Sequence, residues 1–365
     1  MPITDITTGL TFGTLSDAII AANPGDTIHL SAGTYSEDFP KINKDLTIQG
    51  VGGLARLTPL PTVNPQPGDP IYQMPSNGQG ILVTRGAVTL DHLELTGAVV
   101  PDGNGAGVRY ETGSLTISNS WLHGNQNGLL GNPNPGAAIA ITRSEFDHNG
   151  SGDGLTHNLY VGQIGTLTID GSYFHDANVG HEIKSRADTT IITNTRIQDG
   201  PIAPTSYSVD LPNGGIAVLA HDIIEKGANA QNFALIHFGG EAFPVIDPSS
   251  LTIDDLTAIN NLDPLVTLGW SPLVLDHTEP YFTPLITNSA FYGLSSDQLL
   301  TNAGGGLVSG VAYTPPPLNN HFFSVGAAPP LDLSHPFEVP EPMALPMMAV
   351  LVAALVIRGS RGWVM

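Results

Sequence analysis

The chain has 365 residues, a formal charge of −21 from 33 acidic and 12 basic residues, and no cysteine. The absence of cysteine excludes disulfides, thiolate catalysis and cysteine-based metal sites. The acidic balance argues against bulk binding of nucleic acid, because no basic excess is present to neutralise phosphates. Charged residues make up only 12% of the chain, about half the usual share, so Ser, Thr, Asn, Gln and Gly must build the polar surface, as in stacked β-structure with many turns.

The N-terminal 24 residues are predicted to form a cap. The first five residues lack the basic start and apolar stretch of a secretory signal. Leu15, Ala18, Ile19 and Ala22 are spaced like one face of a short helix, which the following Pro-Gly pair would end. An open solenoid end exposes unpaired strand edges, and such a helix would cover them.

A six-residue pattern recurs along the chain: an aliphatic residue, two small or polar residues, a Ser or Thr, any residue, and a bulky apolar residue. Its clearest copies begin at Ile117, Ile141, Ile169, Ile192 and Ile286. A weaker copy begins at Val218, with His221 in the Ser or Thr place. From Leu90 to Val218 successive copies lie 23 to 28 residues apart, the length of one solenoid coil. Residues 25–300 are therefore predicted to form one all-β parallel β-helix with the aliphatic residues stacked in one internal column.

The pattern also predicts bends and a second strand in each coil. Asn119, Asn194 and Asn288 would lie at bends, because Asn tolerates left-handed backbone geometry. The second strand precedes each aliphatic residue, and its side chains alternate between core and solvent. The column nine residues earlier is predicted to face the core, and it contains Val108, Tyr160, Ile183 and Val209. The columns eight and ten residues earlier are predicted to face solvent, and they contain Arg109, Val161, Lys184, Asp210 and Glu182.

The N-terminal third of this repeat carries a family resemblance. The runs Asn23-Pro24-Gly25-Asp26-Thr27-Ile28, Gly33-Thr34-Tyr35 and Asp45-Leu46-Thr47-Ile48-Gln49-Gly50 resemble the cap and first coil of pectate-lyase-like β-helix proteins. The resemblance covers roughly residues 10–300 and implies a right-handed parallel β-helix with a short N-terminal capping helix. An ordinary β-sandwich is the alternative fold.

The C-terminal part has a different composition. Residues 301–338, rich in Gly and Pro, are interpreted as a late coil and linker. Residues 339–365 contain Pro-Glu-Pro, an apolar run and two arginines, and they resemble a PEP-CTERM sorting signal. The resemblance implies export to a Gram-negative envelope or beyond it, exosortase as a partner, and a transient inner-membrane anchor through a C-terminal hydrophobic helix. A buried terminal strand or helix is the alternative.

The segment from His181 to Arg186 is the densest group of chemically versatile residues. Lys184, Arg186 and Glu182 are predicted to point outward from one strand, with Asp210 one coil away at about 4.8 Å. In so acidic a chain this is a local positive island suited to an acidic polysaccharide. The predicted catalytic residues are Lys184, Arg186, Glu182 and Asp210. The predicted substrate-binding residues are His181, Arg196, Tyr160 and His157.

The segment from Glu182 to Ser185 also resembles the lysine-containing segment of the β-helical alginate lyase and chondroitinase B family. The resemblance implies that Lys184 takes a proton from the sugar, that a downstream Arg is the acid, and that calcium neutralises the uronate. The corresponding next coil, Ser206 to Leu211, contains no Arg. β-Elimination requires a base and a cation beside the carboxylate, and Lys184, Arg186 and a His would supply both in a lyase or epimerase.

Four alternatives remain open at this stage. Glu182, Lys184 and Asp210 would form a plain salt-bridge ladder, or the two carboxylates would hydrolyse a glycoside. The segment from Asp147 to Gly154 could bind calcium, although a polar turn is favoured. His148, His157, His175 and His181 are not spaced like zinc ligands, so no metal site is assigned. The second function class is a non-catalytic surface protein that binds matrix polysaccharide.

Overall fold

The computed structural model describes residues 2–60, 75, 77–241, 246–263, 273–277, 284–301 and 319–336. In these parts the chain is a right-handed parallel β-helix, which confirms the predicted fold class. The predicted sorting tail and its hydrophobic helix lie outside the described residues. Among the described residues, no helix has the length and apolar character needed to span a membrane.

The strands are short and follow one another with regular spacing. In chain order they are β1 (Ile3–Asp5), β2 (Leu10–Phe12), β3 (Asp26–Ser36), β4 (Leu46–Thr58), β5 (Gly80–Thr84), β6 (Ala87–Asp91), β7 (Leu93–Thr96), β8 (Ala106–Tyr110), β9 (Ser114–Ser118), β10 (Trp121–His123), β11 (Asn127–Gly131), β12 (Asn134–Thr142), β13 (Glu145–Asp147), β14 (Leu159–Val161), β15 (Ile164–Asp170), β16 (Tyr173–His175), β17 (Ile183–Ser185), β18 (Thr189–Thr193), β19 (Arg196–Gln198), β20 (Val209–Leu211), β21 (Gly214–Ala220), β22 (Ile223–Lys226), β23 (Ala234–Phe238), β24 (Ile246–Asp254), β25 (Thr257–Asn260), β26 (Leu273–His277), β27 (Leu285–Thr287), β28 (Ala290–Tyr292), β29 (Leu300–Thr301) and β30 (His321–Phe323). Within the described ranges, one α-helix, α1 (Leu15–Ala21), lies between β2 and β3, and two 3₁₀ turns span Ser296–Gln298 and Val325–Ala327.

The strands stack into three parallel sheets. Sheet I contains β5, β8, β11, β14, β17, β20, β23, β26 and β29. Sheet II contains β6, β9, β12, β15, β18, β21, β24 and β27. Sheet III contains β7, β10, β13, β16, β19, β22, β25, β28 and β30. The long strands β3 and β4 begin sheets II and III together, and this parallel stacking excludes the β-sandwich.

The N-terminal end is covered as the sequence predicts. Helix α1 buries Leu15, Ala18 and Ile19 on one face, and the Thr14 hydroxyl accepts a hydrogen bond of 3.0 Å from the Asp17 N–H at its start. Strand β1 pairs antiparallel with both β2 and β3. The helix and these strands therefore shield the first coil from edge-to-edge association.

The predicted internal column is confirmed. Ile141 pairs with both Ile117 and Ile169, and Ile169 pairs with Ile192. All four side chains are fully buried. Burying a residue of this type stabilises a fold by about 1.5–3 kcal/mol, so the repeated column supplies much of the driving force for stacking.

The predicted copy of the repeat at Val218 begins one residue too early. Leu219, and not Val218, pairs with Ile192. Asp222 therefore takes the Ser or Thr place, and His221 takes the bend, where its φ is 60°. The predicted bends at Asn119, Asn194 and Asn288 are confirmed, with φ values of 48°, 52° and 54°.

The Ser or Thr of each repeat forms a ladder between coils. The Ser144 Oγ accepts from the Ser120 N–H at 3.2 Å, and the Ser172 Oγ accepts from the Ser144 N–H at 3.2 Å. The ladder continues from the Ser172 N–H to Thr195 Oγ1 and from the Thr195 N–H to Asp222 Oδ1, at 3.4 and 2.8 Å. These hydroxyls are buried and each donates to a carbonyl two residues earlier. The pattern thus satisfies backbone groups that have no access to water.

Asp222 fits this ladder less well than a hydroxyl does. Its Oδ2 is buried and has no hydrogen-bond partner among the described residues. Burial raises the pKa of Asp222 well above its ordinary value. In a later coil Asn320 has the equivalent place, where it accepts from the Ser289 N–H at 3.0 Å and donates to the Ile286 carbonyl at 2.9 Å.

We expect Asp222→Asn to stabilise the protein by about 1–3 kcal/mol at neutral pH. The amide group replaces a buried oxygen that has no hydrogen-bond partner among the described residues, and it removes a carboxyl group whose charged form is disfavoured by burial. Folding raises the pKa of Asp222. Its contribution to the free energy of unfolding is therefore most favourable below the pKa of the unfolded chain, about 3.9, and is lost as the pH rises through the pKa of the folded protein. The gain should therefore grow above about pH 4. Denaturant unfolding at several pH values measures it. Ser172→Ala is the control, with a loss of about 1–2 kcal/mol that does not vary with pH. A gain from Asp222→Asn that stays constant across this range would contradict the assignment.

Candidate functional site

The outer face of sheet I carries the predicted catalytic lysine. In β17 the side chains alternate, so Ile183 lies in the core and Lys184 points outward. Lys184 is directly beside Tyr160 of the preceding coil and Asp210 of the following coil, and Asp210 is beside His237. Neighbouring side chains of this row are about 4.8 Å apart, which brings a phenol, an ammonium, a carboxylate and an imidazole together.

Asp210 is the centre of this row. The carboxylate lies 2.8 Å from Lys184 Nζ, 2.7 Å from His237 Nδ1 and 3.3 Å from His181 Nε2. Only 2% of its side chain is exposed. Burial opposes ionisation, but the hydrogen bond from His237 and the nearby basic groups hold the pKa of Asp210 well below its ordinary value. Asp210 is therefore a permanent anion that fixes three surrounding side chains.

Lys184 is held between two carboxylates. Its Nζ lies 2.8 Å from Asp210 Oδ2 and 2.8 Å from Glu241 Oε1, and its side chain is 11% exposed. Burial lowers the pKa of Lys184, but Asp210 and Glu241 outweigh this effect and raise it. Lys184 is consequently an ammonium ion at neutral pH.

Four aromatic rings stack along the edge of this row. Ring centroids are 4.7 Å apart for His157 and His181, 5.5 Å for His181 and Tyr207, and 4.6 Å for Tyr207 and His237. His157 Nδ1 accepts from the His181 N–H at 3.0 Å, and His181 Nδ1 accepts from the Tyr207 N–H at 3.2 Å. Each accepting Nδ1 is therefore unprotonated, which leaves the proton of a neutral ring on Nε2.

Burial keeps these two imidazoles neutral. It lowers the pKa of His157 well below its ordinary value, and it lowers the pKa of His181 to about 4 although Asp210 opposes the change. His181 can therefore donate from Nε2 to Asp210 without carrying a charge.

Arg186 lies beside Lys184 on the same face. Its Nε donates to the Tyr160 hydroxyl oxygen at 3.0 Å, and its other nitrogens bond to Asn213 Oδ1 and Glu241 Oε2. The guanidinium also lies 5.8 Å from the centre of the Tyr160 ring. These contacts fix the phenolic oxygen of Tyr160 beside the cations on the outer face of sheet I.

Glu241 closes the arrangement. One of its oxygens contacts Lys184 and the other contacts Arg186. Its side chain is 46% exposed, in contrast to the buried Asp210. An exposed carboxylate that bridges two cations shows how the carboxylate of an acidic ligand would be held here.

These residues form what we call the sheet I cluster. Its members are His157, Tyr160, His181, Lys184, Arg186, Tyr207, Asp210, His237 and Glu241. The structure thus brings together three of the four residues predicted as catalytic, and three of the four predicted to bind substrate. Asp210 and Glu241 balance the two cations, so the predicted positive island is locally neutral.

The prediction that Glu182 faces solvent is wrong. Glu182 lies before the start of β17 and is fully buried. Its Oε1 accepts from the Ala177 N–H at 2.9 Å, and its Oε2 accepts from the Asn158 amide. Burial and the nearby Asp199 raise the pKa of Glu182 well above its ordinary value. These contacts also exclude Glu182 and Asp210 as an accessible pair of carboxylates for glycoside hydrolysis.

Three further placements differ from the sequence prediction. Tyr160 was assigned to the core column with Ile183, but it pairs with Lys184 and faces outward. Val161 was predicted to face solvent, but it pairs with Ser185 and is buried in the core. Arg196 lies on sheet III, where it stacks on Tyr173 at 4.3 Å and bonds to the Asp332 carbonyl at 2.6 Å. Arg196 is therefore part of a different surface from Lys184.

Sequence reasoning missed Tyr207, His237 and Glu241. His237 could have been found, because it alternates with Ile236 and Phe238 in a strand one coil after Asp210. Glu241 follows β23 in a segment without a repeat pattern, so no sequence signal places it near Lys184.

The segment from Asp147 to Gly154 does not form a single calcium cage. Asp153 Oδ1 accepts from the Leu155 N–H, the Thr156 N–H and the Thr156 hydroxyl at 2.9 to 3.2 Å. Asp153 therefore stabilises its own turn, as the favoured interpretation of a polar turn predicts.

No family model and no curated protein matches the chain. Among solved structures, an alginate lyase from a Paenibacillus species has 16% identity and a TM-score of 0.48, with 85% of this chain and 94% of that chain covered. A pectin methylesterase mutant in complex with a hexasaccharide has 11% identity and a TM-score of 0.41, with 73% of this chain and 93% of that chain covered. These likenesses concern the fold and carry no information on the reaction.

We expect Asp210→Asn to destabilise the protein by about 3–5 kcal/mol at neutral pH, because it leaves buried donors beside Lys184 without their anion. Folding lowers the pKa of Asp210. Its contribution to the free energy of unfolding is therefore present above the pKa of the unfolded chain, about 3.9, and is lost as the pH falls towards the pKa of the folded protein. Asp255→Asn, which breaks the exposed pair with His221, should cost less than about 1 kcal/mol. Denaturant unfolding compares the two variants. Equal losses would contradict a buried anionic centre.

Proposed function

We propose that the sheet I cluster binds a uronate residue of an acidic polysaccharide and catalyses β-elimination or epimerisation at the carbon beside the carboxylate. The observation that carries the proposal is Glu241, a partly exposed carboxylate bound to Lys184 and Arg186 next to Tyr160. A uronate carboxylate has the same donor requirements and would replace Glu241 on the two cations.

Charge withdrawal is the first requirement of this chemistry. The proton beside a carboxylate becomes acidic only when the developing negative charge is stabilised. Lys184 and Arg186 supply two fixed positive charges, and Asp210 holds Lys184 in position from behind. The sequence predicted Lys184 as the base, but an ammonium with a raised pKa is better suited to hold the carboxylate.

Proton transfer is the second requirement, and we assign it to Tyr160. Its oxygen lies 3.0 Å from Arg186 Nε, beside the two cations that would hold the uronate, and in its deprotonated form this oxygen would accept the carbon-bound proton. In elimination the electron pair of the carbon–hydrogen bond forms the carbon–carbon double bond, and the bond to the glycosidic oxygen breaks. The same phenol then returns the proton to that leaving oxygen. In epimerisation Tyr160 would keep the proton that it removed, and water on the opposite face of the sugar would deliver a different proton to the carbon.

A non-catalytic polysaccharide-binding role is the second candidate. It is favoured by the pairing of both cations with carboxylates, which is also what a stable surface network requires. The protein would then hold an acidic glycan without changing it.

The place of action is proposed to be outside the cytoplasm. The support is the tail sequence of residues 339–365, with its Pro-Glu-Pro, apolar run and arginines. Exosortase and the inner membrane are the partners that this resemblance implies.

We expect the full chain to generate unsaturated uronate ends from at least one of alginate, polygalacturonate, glucuronan or chondroitin, which ultraviolet absorbance detects. Tyr160→Phe should lower turnover by about 10²–10⁴-fold, the usual effect of losing a proton-transfer group. Lys184→Ala should chiefly weaken binding. Arg56→Ala, which removes an exposed cation of sheet III paired with Glu94, is the control and should behave like the parent. Binding without product from any polymer would favour the non-catalytic role. Epimerisation would be detected separately, because a reaction in deuterated water would leave deuterium in the recovered polymer.

We expect Glu241→Gln to bind acidic oligosaccharides about tenfold more tightly, because one charge-assisted competitor for Lys184 and Arg186 is lost. Calorimetric titration with uronate oligosaccharides measures the change. Glu111→Gln is the matched control, since Glu111 also bridges two cations, Lys41 and Arg85, in an earlier coil. Equal gains in the two variants would indicate a general charge effect and would contradict the assigned site.

A further inference from the structure

A second cluster of chemically versatile side chains lies on sheet III. Asp147, His148 and His175 each offer one nitrogen or oxygen atom, and these atoms lie within 4.8 Å of one another. Asp147 and His175 are direct neighbours on successive coils. His148 follows Asp147 at a bend with φ of 50°, and its ring meets the His175 ring edge-on at a centroid distance of 6.1 Å.

Further carboxylates surround His175. Its Nδ1 lies 2.7 Å from Asp176 Oδ2, and its Nε2 lies 3.1 Å from Glu145 Oε1. Whichever nitrogen binds a cation, the other therefore retains a carboxylate partner. Metal-binding histidines nearly always have such a partner, which fixes the tautomer and the ring orientation.

A cavity adjoins the cluster. It has a volume of about 540 Å³ and lies between sheet III and residues 331–335, with His175 and Gln198 in its lining. Gln198 is the neighbour of His175 in the next coil and is 1% exposed. Neither its amide nitrogen nor its amide oxygen has a hydrogen-bond partner among the described residues. A buried amide is costly when unpaired, so Gln198 points independently to a polar ligand in this cavity.

We propose that Asp147, His148 and His175 bind a first-row divalent cation such as Zn²⁺ at the edge of this cavity. Two imidazole nitrogens and one carboxylate oxygen are a donor set that zinc and its neighbours prefer, whereas calcium prefers oxygen ligands alone. Three protein ligands leave a coordination position open for an oxygen-containing molecule. The proposal does not depend on the sheet I cluster or its reaction.

The ligand spacing explains why the sequence did not indicate this site. His148 and His175 are 27 residues apart, far from the short spacings of familiar zinc motifs. The coil length brings them together, because one full coil returns the chain to the same face.

The test is calorimetric titration of the chelator-treated full chain with ZnCl₂, with CaCl₂ as the comparison. The expected result is one saturable zinc site per chain and no comparable calcium binding. His175→Ala and the nearly isosteric Asp147→Asn should abolish zinc binding, while denaturant unfolding shows that they remain folded. Glu145→Gln keeps all three ligands and should weaken binding by about 10–100-fold, as loss of an outer partner does.

His92→Ala is the matched control. His92 has φ of 52° and bonds through Nδ1 to the preceding Asp91 at 2.8 Å, so it reproduces the Asp147–His148 pair. Among the described residues, no third metal-ligating side chain completes a three-ligand group there. This variant should bind zinc like the parent. Cobalt absorption should likewise persist in His92→Ala and vanish in His175→Ala. Absence of saturable zinc binding, or parent-like binding by His175→Ala, would overturn the proposal, and neither result bears on the uronate reaction.

Discussion

The hydrogen-bonded stacking of one coil on the next, at about 4.8 Å, determines which side chains can meet in this protein. Buried hydroxyls such as Ser144 and Ser172 fix the register between coils, because each accepts from the backbone of its neighbour. A slip of one residue would turn every side chain of a strand to the opposite face. The same register places Lys184 beside Asp210 on sheet I and His175 beside Asp147 on sheet III.

Cations are scarce in this chain, and two lysines illustrate different uses of them: Lys226 in a fully buried ion pair, and Lys184 beside a partly exposed carboxylate. Lys226 and Asp199 form an ion pair of 2.9 Å with both side chains fully buried, and Lys226 also donates to the Ser206 carbonyl. This contact anchors the segment that carries Tyr207 into the row of stacked rings. A buried pair of this kind adds little net stability but is costly to break, so its value lies in positioning. Lys184 differs because one of its carboxylate partners is exposed and can be replaced by a ligand.

The interior was predictable because its apolar residues recur once in each coil. The corner between sheets I and II was not, because its length varies. Nine residues separate the core positions Ile183 and Ile192, but ten separate Leu159 and Ile169. Counting back by a fixed number therefore placed Tyr160 in the core. For Asp210 the same count gave the correct outward position because two errors cancelled. In that coil ten residues, and not nine, separate the core positions Val209 and Leu219. The count also started from Val218, one residue before Leu219. Glu241 depends on tertiary placement that no repeat pattern records. Asp147 and His175 each lie six residues after the aliphatic residue of their own coil, so their contact follows from the repeat although no short metal motif marks it.

Glu182 has a positional function that its sequence context concealed. Its carboxylate accepts from the Ala177 N–H and from the Asn158 amide, and Asn158 in turn accepts from the Asn149 N–H. Asn149 follows His148, and Ala177 follows the His175–Asp176 pair. The segment that carries His175 is therefore hydrogen-bonded to this carboxylate directly, and the segment that carries His148 is bonded to it through Asn158. Two residues after Glu182 the chain presents Lys184 on sheet I. The buried acid thus fixes the turn between the two sheets, and it gives two chemically independent surfaces a common support.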